Sequence, residues 1–302
     1  MIRDLPASVR QRLLNRSRDT KRPFQELLAH YAMERFLYRL GQSPYVDRFV
    51  LKGALMFNVW SVGASRPTKD IDLLAHTDNS VDVIVAAIQE ICSQPVESDG
   101  LMFDVGSVTG VTIKEDAEYP GVRVTFRVTL KSARVSLQID VGFGDVVTPR
   151  AAMTEYPVLL DFAAPRILGY SRETVVAEKF EAMTQRGLLN SRMKDFYDLL
   201  FLARRFDFDG ETLHSAILRT FANRSTRIQA VPIALTAAFA SDITKQTQWE
   251  GFLRKAKLDN APPSLQAVID ELSPFLQPVA TAIQDSRSFA GRWLAPGPWQ
   301  IT

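Results

Sequence analysis

The stretch "RPTKDIDLL", Arg66 to Leu74, decides how this chain is read. Two aspartates, Asp70 and Asp72, stand one residue apart in an apolar setting. Side chains at i and i+2 of a strand share a face, so both carboxylates project together while Ile71 points the other way. Like charges that close repel, and burying a carboxylate without a partner is costly. Either a cation lies between the two or the strand is exposed there.

The preceding segment, "RFVLKGALMFNVW", Arg48 to Trp60, predicts a short strand from Phe49 to Leu51, a turn at Lys52 and Gly53, and a helix beginning at Ala54. Backbone N–H groups at such a strand-to-helix turn suit a phosphate, and Lys52 adds charge. Gly53 permits close approach of the backbone. Upstream, Phe24, Leu27, Leu28, Tyr31, Ala32, Phe36, Leu37 and Leu40 recur at helical spacing, with Gly41 as the stop. Downstream, residues 79–93 predict a helix capped by Asn79 or Ser80.

The next region is strand-rich. Val122, Val124, Phe126, Val128 and Leu130 alternate with polar residues, as do Val135, Leu137, Ile139 and Val141. Joined around Lys131 to Ala133, the two runs predict an antiparallel hairpin. Asp140 falls on its polar face with Ser136 and Gln138. If the hairpin pairs beside the Asp70–Leu74 strand, three carboxylates converge. Three hard oxygen donors suit Mg²⁺, with substrate phosphates completing the shell. Two such ions activate a hydroxyl and stabilise a leaving pyrophosphate. The alternative is plain: Asp-x-Asp recurs by chance, and Asp140 is then a solvated strand residue.

From about residue 151 the texture changes. Pro157 and Pro165 mark a linker, and two helices follow, one capped by Ser171 and broken at Gly187, the next starting after Asn190 or Ser191. The remainder is mostly helical to about residue 285, with a break at Pro262 and Pro263. The fold class expected is therefore α+β: a mixed sheet with flanking helices over residues 1–165, then an all-α helical domain over 166–302.

Composition fits a globular chain. It has 302 residues, 46% of them hydrophobic, and a net charge of +2, which names no partner. The N-terminal segment is locally basic, with Arg3, Arg10, Arg12, Arg16, Arg18, Lys21 and Arg22 against Asp4 and Asp19. That excess suits a polyanion or a solvated helix face. A single cysteine, Cys92, excludes an internal disulfide and a cysteine-rich zinc site. Three histidines argue against a histidine-based metal site. No signal-peptide pattern opens the chain, and no run approaches the roughly 18 apolar residues of a membrane span, so a cytoplasmic location is expected. "RTFANRSTR", with Arg219, Arg224 and Arg227, and "QTQWEGFLRKAK", around Trp249 and Phe252, interleave basic and aromatic residues. They suit RNA or ordinary helical faces equally.

A Gly-small turn opening a helix, a strand with Asp-x-Asp, and a third Asp on a later strand resemble the DNA polymerase β-type nucleotidyltransferase superfamily. The closer resemblance is to the AbiEii/AbiGii-type toxin nucleotidyltransferases, which include the MenT toxins. "FVLKGALMF", "RPTKDIDLL", "LQIDVGFGDVVTP", "ETVVAEKFEAM" and "SRMKDFYDLL" look like motifs of that family, in order, over about residues 45–205. The first motif often reads Gly-Gly there; here it is Gly53-Ala54.

The resemblance implies residue roles. Lys52, Gly53 and Ala54 would contact triphosphate. Asp70 and Asp72 would be the metal pair, with Asp140 as the third, more variable acidic position. Lys179 would be the helical lysine of the third motif and Asp198 the acidic residue of the fourth, with Asp195 flanking it. Asp195 and Asp198 share a helix face at i, i+3. Lys179 would neutralise a phosphate while Asp198 holds Lys179 or the base; the rival reading is an interhelical salt bridge. Arg66 and Thr68 flank the metal pair as candidate nucleotide contacts, although Arg66 reads equally as a loop charge.

The activity implied is Mg²⁺- or Mn²⁺-dependent transfer of NMP from an NTP to RNA, at the tRNA 3′ end, which blocks translation. A cognate antitoxin is the implied protein partner. Two other uses are a protein hydroxyl as acceptor and a non-catalytic nucleotide-binding module.

Overall fold

A computed structural model gives the fold and describes residues 4–60, 68–113, 120–258 and 261–301. The chain divides into two compact units, Met1–Gly144 with Ala151–Tyr170, and Asp145–Arg150 with Ser171–Thr302.

The first unit opens with two helices, α1 (Leu5–Thr20) and α2 (Phe24–Gly41). Asp4 caps α1 by accepting from the Ala7 N–H at 3.0 Å, and Lys21 ends it in the left-handed region. Part of the basic surplus here is paired within the unit. Arg12 pairs with Asp161 at 2.8 Å, Arg22 pairs with Glu26 at 2.7 Å, and Arg10 lies over Phe24. Helix α2 ends at Gly41 as its spacing predicts, and it buries Leu27, Leu28, Tyr31, Phe36, Leu37 and Leu40.

A seven-stranded mixed sheet follows, in spatial order β3-β4-β5-β2-β1-β7-β6. Strand β1 (Phe49–Lys52) leads through a 3₁₀ turn at Gly53–Leu55 into the short helix α3 (Met56–Trp60). Strand β2 (Asp70–Ala75) is followed by α4 (Val81–Ser93), whose N-cap is Ser80, accepting from Val83 N–H. Then come β3 (Met102–Ile113), β4 (Gly121–Leu130), β5 (Ala133–Phe143), β6 (Ala152–Glu155) and β7 (Arg166–Gly169).

Strands β4 and β5 form the predicted hairpin, turning at Lys131, whose φ is +55°. The pairing that the sequence left conditional is present: β5 runs parallel beside β2. Ile71, Leu73, Val124, Phe126, Leu137 and Ile139 are buried on one face, and Phe36 of α2 meets Phe126 there at 5.6 Å between ring centres. Truncating either phenylalanine is expected to cost about 3–5 kcal/mol. The face beneath the helices is thus apolar, and the charged residues of β2 and β5 fall on the opposite one.

The second unit is mainly helical: α5 (Arg172–Arg186), α6 (Met193–Arg205), then a two-residue strand β8 (Phe208–Asp209), α7 (Gly210–Asn223), α8 (Ala237–Ser241), α9 (Ile243–Ala256) and α10 (Leu265–Gln284). Ser171 caps α5 as predicted. Helix α6 begins later than expected, because the Asn190 side chain accepts from Arg192 N–H at 3.0 Å and closes a turn first. The unit also carries a three-stranded ribbon absent from the sequence reading, in which β9 (Gly291–Trp293) lies between β8 and β10 (Trp299–Ile301). Trp293 and Trp299 pack on Phe275 of α10 at 4.9 and 6.0 Å. Among the described residues, no helix is long and apolar enough to cross a membrane.

Candidate active site

Strand register assembles the site of the first unit. Lys52 lies opposite Asp72, Asp72 opposite Asp140, and Asp140 opposite Arg123. Residues directly opposite on neighbouring strands point to the same face. A row of four charges therefore crosses β1, β2, β5 and β4, with signs plus, minus, minus, plus. One step along, Asp70 lies opposite Gln138. The two inner carboxylates sit one strand spacing apart, and the outer cations offset their repulsion.

Each member of the row is held. Arg123 grips Asp140 with two parallel hydrogen bonds, Nε to Oδ1 and Nη2 to Oδ2, both at 2.8 Å. Gln138 Nε2 reaches both oxygens at 3.2 Å. The Lys52 ammonium stands 5.6 Å from the Tyr170 ring centre, and Tyr170 N–H donates to the Leu51 carbonyl at 3.0 Å. Gly53 has φ of +69°, and a Cβ placed there would run into the Asp72 carboxylate, with Cγ at 2.7 Å. The close approach expected of Gly53 is thus already made, by its own strand neighbour. Ala54, beside it, is buried. Thr68 donates to the Asp70 carbonyl at 3.4 Å. Arg66 lies outside the described residues.

Asp70 and Asp72 are half-buried hard donors on one face, a chemistry that suits Mg²⁺ or Mn²⁺. Among the described residues, no three acidic, histidine or cysteine side chains are gathered as a ligand set. Asp140 adjoins Asp72 in register, but its oxygens face Arg123.

The second unit holds another cluster. Lys179 of α5 bridges Asp195 at 2.7 Å and Asp198 at 2.9 Å on α6, and Arg192 pairs with Asp195 at 2.6 Å. Both aspartates are buried, on the shared face that their spacing predicts. Burial by itself raises the Asp195 carboxyl, but the Lys179 and Arg192 charges reverse this and hold it below the usual range. The interhelical salt bridge foreseen as the rival reading of Lys179 exists.

Sequence reasoning gave no site role to Arg123, Gln138, Tyr170 and Arg192. Arg123 carried a signal: counting outward from the two-residue hairpin turn pairs it with Asp140. Two basic–aromatic stretches are in part internal. Arg224 lies between Asp145, Glu178 and Glu181, at 2.8, 3.6 and 2.9 Å, and Trp249 is buried with its indole N–H on the Pro262 carbonyl. Arg219 and Arg227 are exposed.

Comparisons with known proteins place the chain in a family. Among solved structures, JHP933 from Helicobacter pylori is similar at 16% identity and a TM-score of 0.45, over 87% of this chain and 93% of that one. Another H. pylori protein, provisionally described as a nucleotidyltransferase, matches at 17% identity and 0.45, over 87% and 96%. The M. chilensis Mg662 protein, complexed with GTP, matches at 10% and 0.22, over 85% and 90%. No curated protein matches the chain. The family model described as "Nucleotidyl transferase AbiEii toxin, Type IV TA system" matches residues 35–271, which span both units and well over half of the sequence. The chain belongs to the AbiEii toxin family and is a nucleotidyltransferase.

Proposed function

We propose that this toxin-family enzyme moves an NMP group from an NTP to a hydroxyl of RNA, at the tRNA 3′ end. The acceptor oxygen bonds to the α-phosphorus, the bond from that phosphorus to the bridging oxygen of the β-phosphate breaks, and pyrophosphate leaves. The hydroxyl proton passes to a carboxylate of the charged row. A divalent cation, Mg²⁺ or Mn²⁺, held by Asp70 and Asp72, would supply charge neutralisation and a more acidic hydroxyl.

The observation that carries this reading is the row Lys52, Asp72, Asp140, Arg123 with the Gly53 turn pressed on Asp72. Two cations and two carboxylates side by side on one sheet face support a reading in which the cations meet phosphate and the carboxylates hold metal. Lys52 with Gly53 and Ala54 contacts the triphosphate, and Arg66 and Thr68 belong to the same contact set. Lys179, held by Asp195 and Asp198 within the second unit, has a phosphate-binding role in this reading. A capped tRNA end cannot be aminoacylated, so translation stops, and a cognate antitoxin keeps the enzyme in check.

The test is incubation with each labelled NTP, Mg²⁺ and total tRNA. Label on the tRNA 3′ end is the expected result. Label on protein alone selects a protein hydroxyl as acceptor, and no transfer with any NTP counts against the reading.

A further inference from the structure

Asp140 sits at the third acidic position, yet both of its oxygens already have a cation. The Arg123 guanidinium meets them through two N–H donors at 2.8 Å each, the fork geometry that fits a carboxylate best. The partners differ in freedom. Asp140 is a short side chain, 12% exposed, on a strand paired on both sides. Arg123 is long and 39% exposed. By length and exposure Arg123, more than Asp140, has room to swing aside, and the sheet face it lies on also bears Lys52 and Asp72.

We propose that Arg123 is a built-in counter-ion that competes with a divalent cation for Asp140, and so sets how tightly this site takes metal. The inference rests on the metal pair of the reading above. Breaking the ion pair removes the Arg123 charge from the Asp140 oxygens, leaving them to the neutral Gln138 amide at 3.2 Å, and frees a guanidinium whose planar donors match a phosphate. Arg123 is thus a positioning residue: it parks Asp140 and is displaced from it. A cross-strand pair that merely glues the hairpin predicts the same geometry but no effect on metal uptake.

Mn²⁺ titration of the full chain, followed by the electron paramagnetic resonance signal of free Mn²⁺, separates these. Arg123→Met is expected to bind Mn²⁺ about fivefold more tightly than wild type, the scale of a partly exposed ion pair. Arg123→Lys, whose ammonium grips one point instead of two, gives a smaller gain and serves if the methionine variant folds poorly. In an Asp140→Asn background the gain disappears, because the contested oxygens are gone. Unchanged or weaker Mn²⁺ binding by both Arg123 variants, with binding still lost in Asp70→Asn, overturns the proposal and leaves the metal pair standing. No Mn²⁺ uptake by wild type or any variant overturns both.

Discussion

Gly53 lies directly against the Asp72 carboxylate, with a backbone φ of +69° that leaves no room for a Cβ. The phosphate-turn candidate and the metal-pair candidate are therefore one packed unit. Gly53→Ala strains the backbone in the left-handed region and also displaces Asp72. About 1–2 kcal/mol of stability is expected to be lost. A shift of the carboxylate near 1 Å is expected to cut nucleotidyl transfer about 100-fold. Thermal unfolding and the labelled-NTP assay, run on the same preparation, check both. Activity near wild type would mean that Asp72 needs no such fixed position.

Lys179 neutralises two buried aspartates at once. Lys179→Met leaves Asp198 without that partner and Asp195 with Arg192, and a loss of about 3–5 kcal/mol is expected. The double variant Lys179→Met with Asp198→Asn should recover part of the stability, because a buried charge is removed. Transfer per folded molecule should remain low in both. Recovered transfer in the double variant would reduce Lys179 to a structural role.

Glu34 predicts a pH dependence that has nothing to do with catalysis. It is buried in α2, accepts from Leu159 N–H at 2.6 Å and pairs with Arg35 at 2.9 Å. Burial outweighs these partners and pushes its pKa from 4.5 up to about 7. A folded-state pKa above the unfolded one means that the folded chain holds the proton more tightly. The associated stability is present below pH 4.5 and is lost as pH rises through 7. Glu34→Gln removes the titration, so its stability relative to wild type is expected to improve by on the order of 3 kcal/mol between pH 4.5 and 8. Urea unfolding at several pH values measures this, and a difference independent of pH would contradict the assignment.

Divalent-metal removal gives a further prediction. With EDTA present, transfer should stop while the thermal unfolding midpoint stays within about 2–4 °C, because the sheet core does not depend on a bound ion. Mn²⁺ should restore transfer as Mg²⁺ does. Full activity after exhaustive chelation would remove the role given to Asp70 and Asp72.

The central fold was legible wherever periodicity was strong. The alternation of Val122 to Leu130 and Val135 to Val141 located the hairpin, and Asp70-x-Asp72 located the strand it joins. Helix caps such as Ser80 and Ser171 stood where side-chain chemistry places them. The short strands Ala152–Glu155 and Arg166–Gly169 escaped, since four residues flanked by prolines carry too little alternation to register. The ribbon around Trp293 and Trp299 escaped for the same reason. Within the site, residue types were readable but pairings were not. That Asp140 belongs first to Arg123 follows from strand register, which a single sequence shows only by counting from the turn. Arg224 looked like a surface cation because its partners Asp145, Glu178 and Glu181 come from segments distant in sequence.

The most direct measurement of the central claim is single-turnover transfer from labelled NTP to tRNA by wild type and by Asp70→Asn and Asp72→Asn, each confirmed folded. Wild type is expected to label the RNA 3′ end, and each variant to be slower by at least about 100-fold at saturating Mg²⁺. Equal rates in wild type and both variants would contradict the account, because the paired carboxylates would then have no part in the chemistry.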